Sequence, residues 1–130
     1  MTLVRRCEKN ESRERSLALS DAIELLGGKW KLCILQNLSF YGEMRFKDLQ
    51  EVMLNISPKV LTKELQQLEE NFLVTRTVNN TKPITVSYAL TEHAYETRDV
   101  FNALLAFGAK HRSLIKNNGV QSADALSYHV

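Results

Sequence analysis

The chain has 130 residues, 44% of them hydrophobic and 25% charged, which suits one globular domain with its own core and excludes a disordered chain. Its net charge of +2 is too small for a nonspecific nucleic-acid coat, so any such role must rest on where the cations lie. The densest apolar run, Leu32 to Leu35, falls far short of the roughly 18 residues a membrane span needs. The opening residues meet charges at once and read as no signal peptide, and Cys7 and Cys33 are too far apart to suggest a disulfide framework. A cytoplasmic protein is expected.

Residues 5–15 mix charges of both signs (Arg5, Arg6, Glu8, Lys9, Glu11, Arg13, Glu14, Arg15) with almost no apolar content, and the first 15 residues are expected to form a mobile or loosely docked arm. From Leu17 the texture changes. Leu19, Ile23 and Leu26 repeat at helical spacing, and Gly27-Gly28 ends that helix, because glycine takes a left-handed cap at little cost. A second helix follows with Trp30, Ile34 and Leu38 on one stripe and Leu35 beside it; Cys33, between Leu32 and Ile34, is expected in the core. A short third helix holds Phe46, Leu49 and Val52.

A tight connection, Met53-Leu54-Asn55-Ile56, leads to Ser57-Pro58. Serine caps free amides and proline suits the first helical position, so a fourth helix starts here. Leu61, Leu65 and Leu68 form its inner stripe and Lys59, Thr62, Lys63, Gln66 and Gln67 its outer positions. Past Asn71 the period changes from helical toward two. Val74, Arg76 and Val78 lead into the turn-forming Asn79-Asn80-Thr81-Lys82-Pro83, and the run from Ile84 to Leu90 alternates as a returning strand should. Thr91-Glu92 opens a long last helix, and residues 117–130 form a polar, flexible tail. The expected class is therefore mainly α with a small β-hairpin (α+β): a winged helix-turn-helix over residues 16–116 with a long C-terminal helix.

Lys59, Lys63 and Gln66 share one side of the fourth helix, with Thr62 adjacent. Lysine reaches phosphates or guanine, and the glutamine amide matches the donor and acceptor of adenine in the major groove. Taken by itself the helix would be an ordinary solvated face; placed second in a helix-turn-helix and before a wing, the same residues point to duplex DNA. Lys82 suits phosphate contact as well as plain edge protection of the hairpin. Nothing catalytic stands out. His93, His111 and His129 lie far apart without cysteine partners, Glu69-Glu70 is a solvated pair, and there is no phosphate loop or dinucleotide fingerprint. No enzyme, cofactor or metal is expected.

Several stretches together resemble the HxlR family of bacterial regulators, a branch near the MarR type. They are Gly27-Gly28-Lys29-Trp30-Lys31-Leu32, Arg45-Phe46-Lys47-Asp48-Leu49, Ile56-Ser57-Pro58-Lys59-Val60-Leu61-Thr62-Lys63-Glu64-Leu65, Leu68-Glu69-Glu70-Asn71 and Val86-Ser87-Tyr88-Ala89-Leu90-Thr91-Glu92. The resemblance covers about Leu17 to His111 and implies a dimeric winged-helix transcription factor. It turns Arg76 toward a DNA role. The DNA-binding set is then Ser57, Lys59, Thr62, Lys63, Gln66, Arg45, Arg76 and Lys82, with the helix at about 58–70 in the major groove and the wing at about 74–90 on the backbone or minor groove.

The chain departs from the family pattern at three places. Leu17-Ala18 stand where such proteins often carry a cysteine and a proline, so oxidant sensing through that cysteine is not expected; Cys7 is the one candidate substitute. Asn79-Asn80 replace a Tyr-Pro pair in the wing. Phe72 replaces the glycine after the fourth helix, so Asn71 is expected to take the left-handed cap.

The last helix carries Val100, Leu104 and Phe107 on one stripe, with Phe101, Leu105 and Gly108 beside it. That is more apolar width than a small wing and short helices would cover, and it points to a homodimer. The expected partners are thus double-stranded DNA and a second copy, with no membrane; an unidentified small-molecule effector stays open. The alternative is a winged-helix protein–protein interaction module without sequence-specific DNA binding.

Overall fold

The computed structural model describes residues 2–119, with side chains described for 10–118. Helix α1 (Thr2–Leu26) is followed by α2 (Lys31–Tyr41), strand β1 (Met44–Arg45), α3 (Phe46–Val52), α4 (Pro58–Glu70), β2 (Val74–Asn79), β3 (Thr85–Leu90), a short 3-10 helix (His93–Glu96) and α5 (Thr97–Gly119). This is the expected mainly α winged helix-turn-helix with a small antiparallel sheet. The chain up to Tyr95 forms one unit and the chain from Glu96 a second.

From Thr2 onward, the stretch expected as an arm over residues 1–15 is helical and makes up the first half of α1. Arginine, lysine and glutamate are strong helix formers, and they carry the helix through a stretch with no apolar stripe to dock. Its end is as read. A Cβ on Gly27 would overlap the Ile23 carbonyl oxygen, and Gly28 takes φ 91°, so both glycines are required where the chain turns into α2. Leu26 packs against the core, while Leu19 and Ile23 stay exposed.

The core of the first unit gathers Ile34, Leu35 and Leu38 of α2, Leu49 of α3, and Leu61, Leu65 and Leu68 of α4, all 2% exposed or less. Burying each such side chain is worth about 1.5–3 kcal/mol. Met53 and Ile56 close the core under the α3–α4 turn, where Asn55 takes φ 71°. Trp30 and Phe46 pack at its edge, half-buried. Cys33 corrects its expectation: it is exposed, on the outer side of α2.

Three strands form the sheet, in the order β1-β3-β2, where the sequence suggested two. β1 pairs Met44 with Tyr88 and Arg45 with Ser87; two residues are too few to show a strand period. With a neighbour on each side, β3 buries Ser87 and Tyr88.

The end of α4 also differs from expectation. Asn71 has φ −97°, and Phe72 takes the left-handed position with φ 62°. The Leu73 amide donates to the Leu68 carbonyl (2.9 Å) and the Phe72 amide to the Glu69 carbonyl (3.1 Å), the Schellman pattern normally completed by glycine. Leu68 and Leu73, both buried, supply its apolar contact and hold Phe72 in place.

The last helix starts later than Thr91. The Thr91 hydroxyl donates to the Phe72 carbonyl (2.7 Å) and accepts from the Ala94 amide (3.1 Å). It thereby caps the 3-10 turn, and α5 begins at Thr97. The tail expected from residue 117 lies outside the described residues beyond Gly119.

Candidate nucleic-acid interface

Helix α4 is built to present one face. Ser57 Oγ accepts from the Val60 amide at 3.1 Å and Pro58 fills the first helical position, so its N-terminus is fixed locally. The leucine stripe then turns Lys59, Thr62, Lys63 and Gln66 outward, and all four are exposed. An ion pair holds the helix from behind: Lys31 Nζ of α2 donates to Glu64 Oε2 at 2.6 Å, the side chains being 12% and 17% exposed.

The charges of α4 run against its own dipole. Lys59 lies in the first turn, while Glu69 and Glu70 lie in the last, with no acid in the first turn and no base in the last. The favourable arrangement is the reverse, each such charge being worth about 0.3–1 kcal/mol. The helix therefore holds its cations at a local cost to stability.

Thr62 is less free than the sequence suggests. Its hydroxyl donates to the Pro58 carbonyl at 2.7 Å, which leaves a methyl group and acceptor lone pairs to face a ligand. Gln66 makes no side-chain hydrogen bond among the described residues, so its amide keeps both donor and acceptor.

The wing adds cations beside this face. Arg76 on β2 and Arg45 on β1 line one cleft with Thr62, so these three expected residues come together. Lys47 of α3 lines it too; it is not in the expected DNA-binding set, and its place beside the wing depends on β1. Lys82 is exposed in the turn between β2 and β3. That turn is braced by Asn79, whose amide nitrogen donates to Ser87 Oγ (2.7 Å) and Thr85 Oγ1 (3.2 Å), and by Thr81 Oγ1, which donates to the Pro83 carbonyl (2.7 Å). A polar ladder thus occupies the wing position where the family pattern has Tyr-Pro.

Among the described residues no three or more His, Cys, Asp or Glu side chains gather as a metal site, and no helix is long and apolar enough to cross a membrane. The side chain of Cys7 lies outside the described residues. On α5, Val100, Leu104, Leu105 and Phe107 are exposed, Phe101 and Gly108 half-buried. Leu114, absent from the expected set, is exposed on the same helix at 56%.

Residues 25–116 match the family model described as HxlR-like helix-turn-helix. The chain is 35% identical over 101 residues to YtcD, an uncharacterised HTH-type transcriptional regulator of Bacillus subtilis, across 78% of this chain and 79% of YtcD. The crystal structure of YtcD aligns with a TM-score of 0.68 at 36% identity, over 73% of this chain and 96% of that one. The HTH-type transcriptional regulator YodB of B. subtilis is 36% identical over 89 residues, 68% of this chain and 79% of YodB. The redox regulator HypR in its reduced form aligns with a TM-score of 0.69 at 25% identity, over 77% of this chain and 98% of HypR. With its helix-turn-helix, wing and signature segments in matching order, the chain belongs to the HxlR-like helix-turn-helix family, as its likeness to the transcriptional regulators YtcD and YodB also shows.

Proposed function

We propose that this protein regulates transcription by binding an inverted repeat in duplex DNA as a homodimer. The observation that carries this reading is the outer face of α4, where Lys59, Lys63 and Gln66 stand exposed and Lys59 is held in the first turn against the helix dipole. In this reading Ser57, Lys59, Thr62, Lys63 and Gln66 enter the major groove; Gln66 pairs with a base edge, the lysines take phosphate or guanine, and Thr62 offers its methyl group. Arg45, Arg76 and Lys82 lie along the backbone or minor groove.

The dimer is formed mainly by α5, through Val100, Phe101, Leu104, Leu105, Phe107 and Gly108. Exposure of 51% at Leu104 and 68% at Phe107 favours a self-complementary surface on this helix. Two-fold symmetry then spaces the recognition helices by about 34 Å, one turn of DNA. The protein-interaction alternative is less well supported, because α4 carries no aromatic side chain to act as an anchor.

The redox role in HypR's description is not carried over, since Leu17 offers no thiol. Sedimentation at micromolar concentration, followed by anisotropy titration of a duplex selected from genomic DNA, tests the reading. A dimer binding one duplex is expected; a monomer, or equal affinity for every sequence, contradicts it.

A further inference from the structure

Thr62 is the odd member of the outer face of α4. Lys59, Lys63 and Gln66 around it are exposed, end in hydrogen-bonding groups and are good helix formers. Threonine is branched at Cβ and ranks among the poorer ones. Its exposed place in the middle of α4 therefore carries a local cost with no burial in the core to offset it.

The hydroxyl does not explain that cost. Thr62 Oγ1 donates its proton to the Pro58 carbonyl at 2.7 Å, so the one donor of the side chain is engaged inside the helix. Both branches sit on Cβ, and holding the oxygen back against the preceding turn directs the methyl away from that bond. The face thus presents one fixed methyl group among side chains that donate and accept. In the major groove the matching feature of a base pair is the C5 methyl of thymine, which cytosine and uracil lack.

We propose that Thr62 is a specificity residue that reads the C5 methyl of one thymine in each half-site, methyl against methyl. The inference rests on the proposed function and deepens it, since it requires α4 in the major groove. It also fixes where that thymine lies. Thr62 and Gln66 stand four residues apart on the helix, which sets their Cβ atoms about 5–6 Å apart, against about 3.4 Å between successive base pairs. The thymine therefore belongs one or two steps from the pair contacted by Gln66.

The test uses the full chain and a duplex selected from genomic DNA, with each thymine replaced in turn by uracil, symmetrically in both half-sites, and affinity read by fluorescence anisotropy. Wild type should lose about fourfold per half-site at one position, roughly fifteenfold for the two together, as expected for one buried methyl group each. Thr62→Ser keeps the hydroxyl and removes the methyl, and should bind thymine and uracil duplexes alike. Thr62→Val keeps a methyl without the hydroxyl and should retain the preference for thymine. Cytosine and 5-methylcytosine at the same position should differ about fourfold per half-site for wild type and not for Thr62→Ser. Uracil tolerated at every thymine, an equal uracil effect in Thr62→Ser, or a sensitive position more than two steps from the one that Gln66→Ala relaxes would overturn the proposal. Those results would leave sequence-specific binding by α4 standing, whereas a chain that selects no duplex refutes the regulator reading and the thymine contact with it.

Discussion

Helices α4 and α5 both carry an apolar stripe at helical spacing, and the two stripes meet different fates. Leu61, Leu65 and Leu68 of α4 are no more than 1% exposed, whereas Val100, Leu104, Phe107 and Leu114 of α5 are 42%, 51%, 68% and 56% exposed. Periodicity therefore marks a face that must be covered without saying by what. For α4 the cover is the chain's own core; for α5 we assign it to a second copy.

The largest expected effect separates these cases. Leu65→Ala should cost about 2–5 kcal/mol of unfolding free energy, with nearly the same loss at every protein concentration. Leu104→Glu should instead shift the dimer toward monomer, and sedimentation should show the shift shrinking as concentration rises. If Leu104→Glu destabilises the chain as Leu65→Ala does, without dissociating a dimer, α5 is covered from within and the contrast fails.

The ion pair behind α4 comes next. Glu64→Gln leaves Lys31, 12% exposed, without its charge partner, and should cost about 1–3 kcal/mol, above the 0–1 kcal/mol typical of exposed pairs. Chemical denaturation of Glu64→Gln, Lys31→Met and the double variant gives the coupling directly. A coupling below about 0.3 kcal/mol would mean that the pair does not clamp α4 to α2.

Much of this contrast was legible in the sequence, and the misreadings have separate causes. Ser57-Pro58 and three leucines set α4 from Pro58 to Glu70, because cap, first-turn proline and stripe all agree. The first half of α1 was missed because the charged stretch was judged by its lack of a stripe, while its residues favour helix intrinsically. Cys33 was misplaced because apolar neighbours in sequence need not share a helix face. β1 is too short to show a period, and without it the cleft joining Arg45, Lys47 and Arg76 cannot be drawn. The shift of the left-handed residue from Asn71 to Phe72 follows from the Leu68–Leu73 contact, which a propensity argument does not contain.

A smaller effect sharpens that last point. Phe72→Gly removes a side chain that is 78% exposed at φ 62°, and should stabilise the chain by about 0.5–1 kcal/mol. Thermal unfolding reads it, and a loss of stability would show that the Phe72 side chain is packed in the assembled protein. In the wing, Lys82→Ala should weaken every DNA sequence alike and make the salt slope shallower by about one unit. A sequence-dependent loss would move Lys82 from the backbone to a base edge.

The central claim is that the outer face of α4 reads base pairs. Its most direct test is selection of bound fragments from genomic DNA, run in parallel with wild type and Gln66→Ala. Wild type should enrich an inverted repeat with half-sites one helical turn apart. Gln66→Ala should enrich the same repeat with preference relaxed at one position in each half-site, and bind the wild-type site more weakly by about 1–3 kcal/mol. An identical motif from both proteins, or no motif from either, would contradict the assignment.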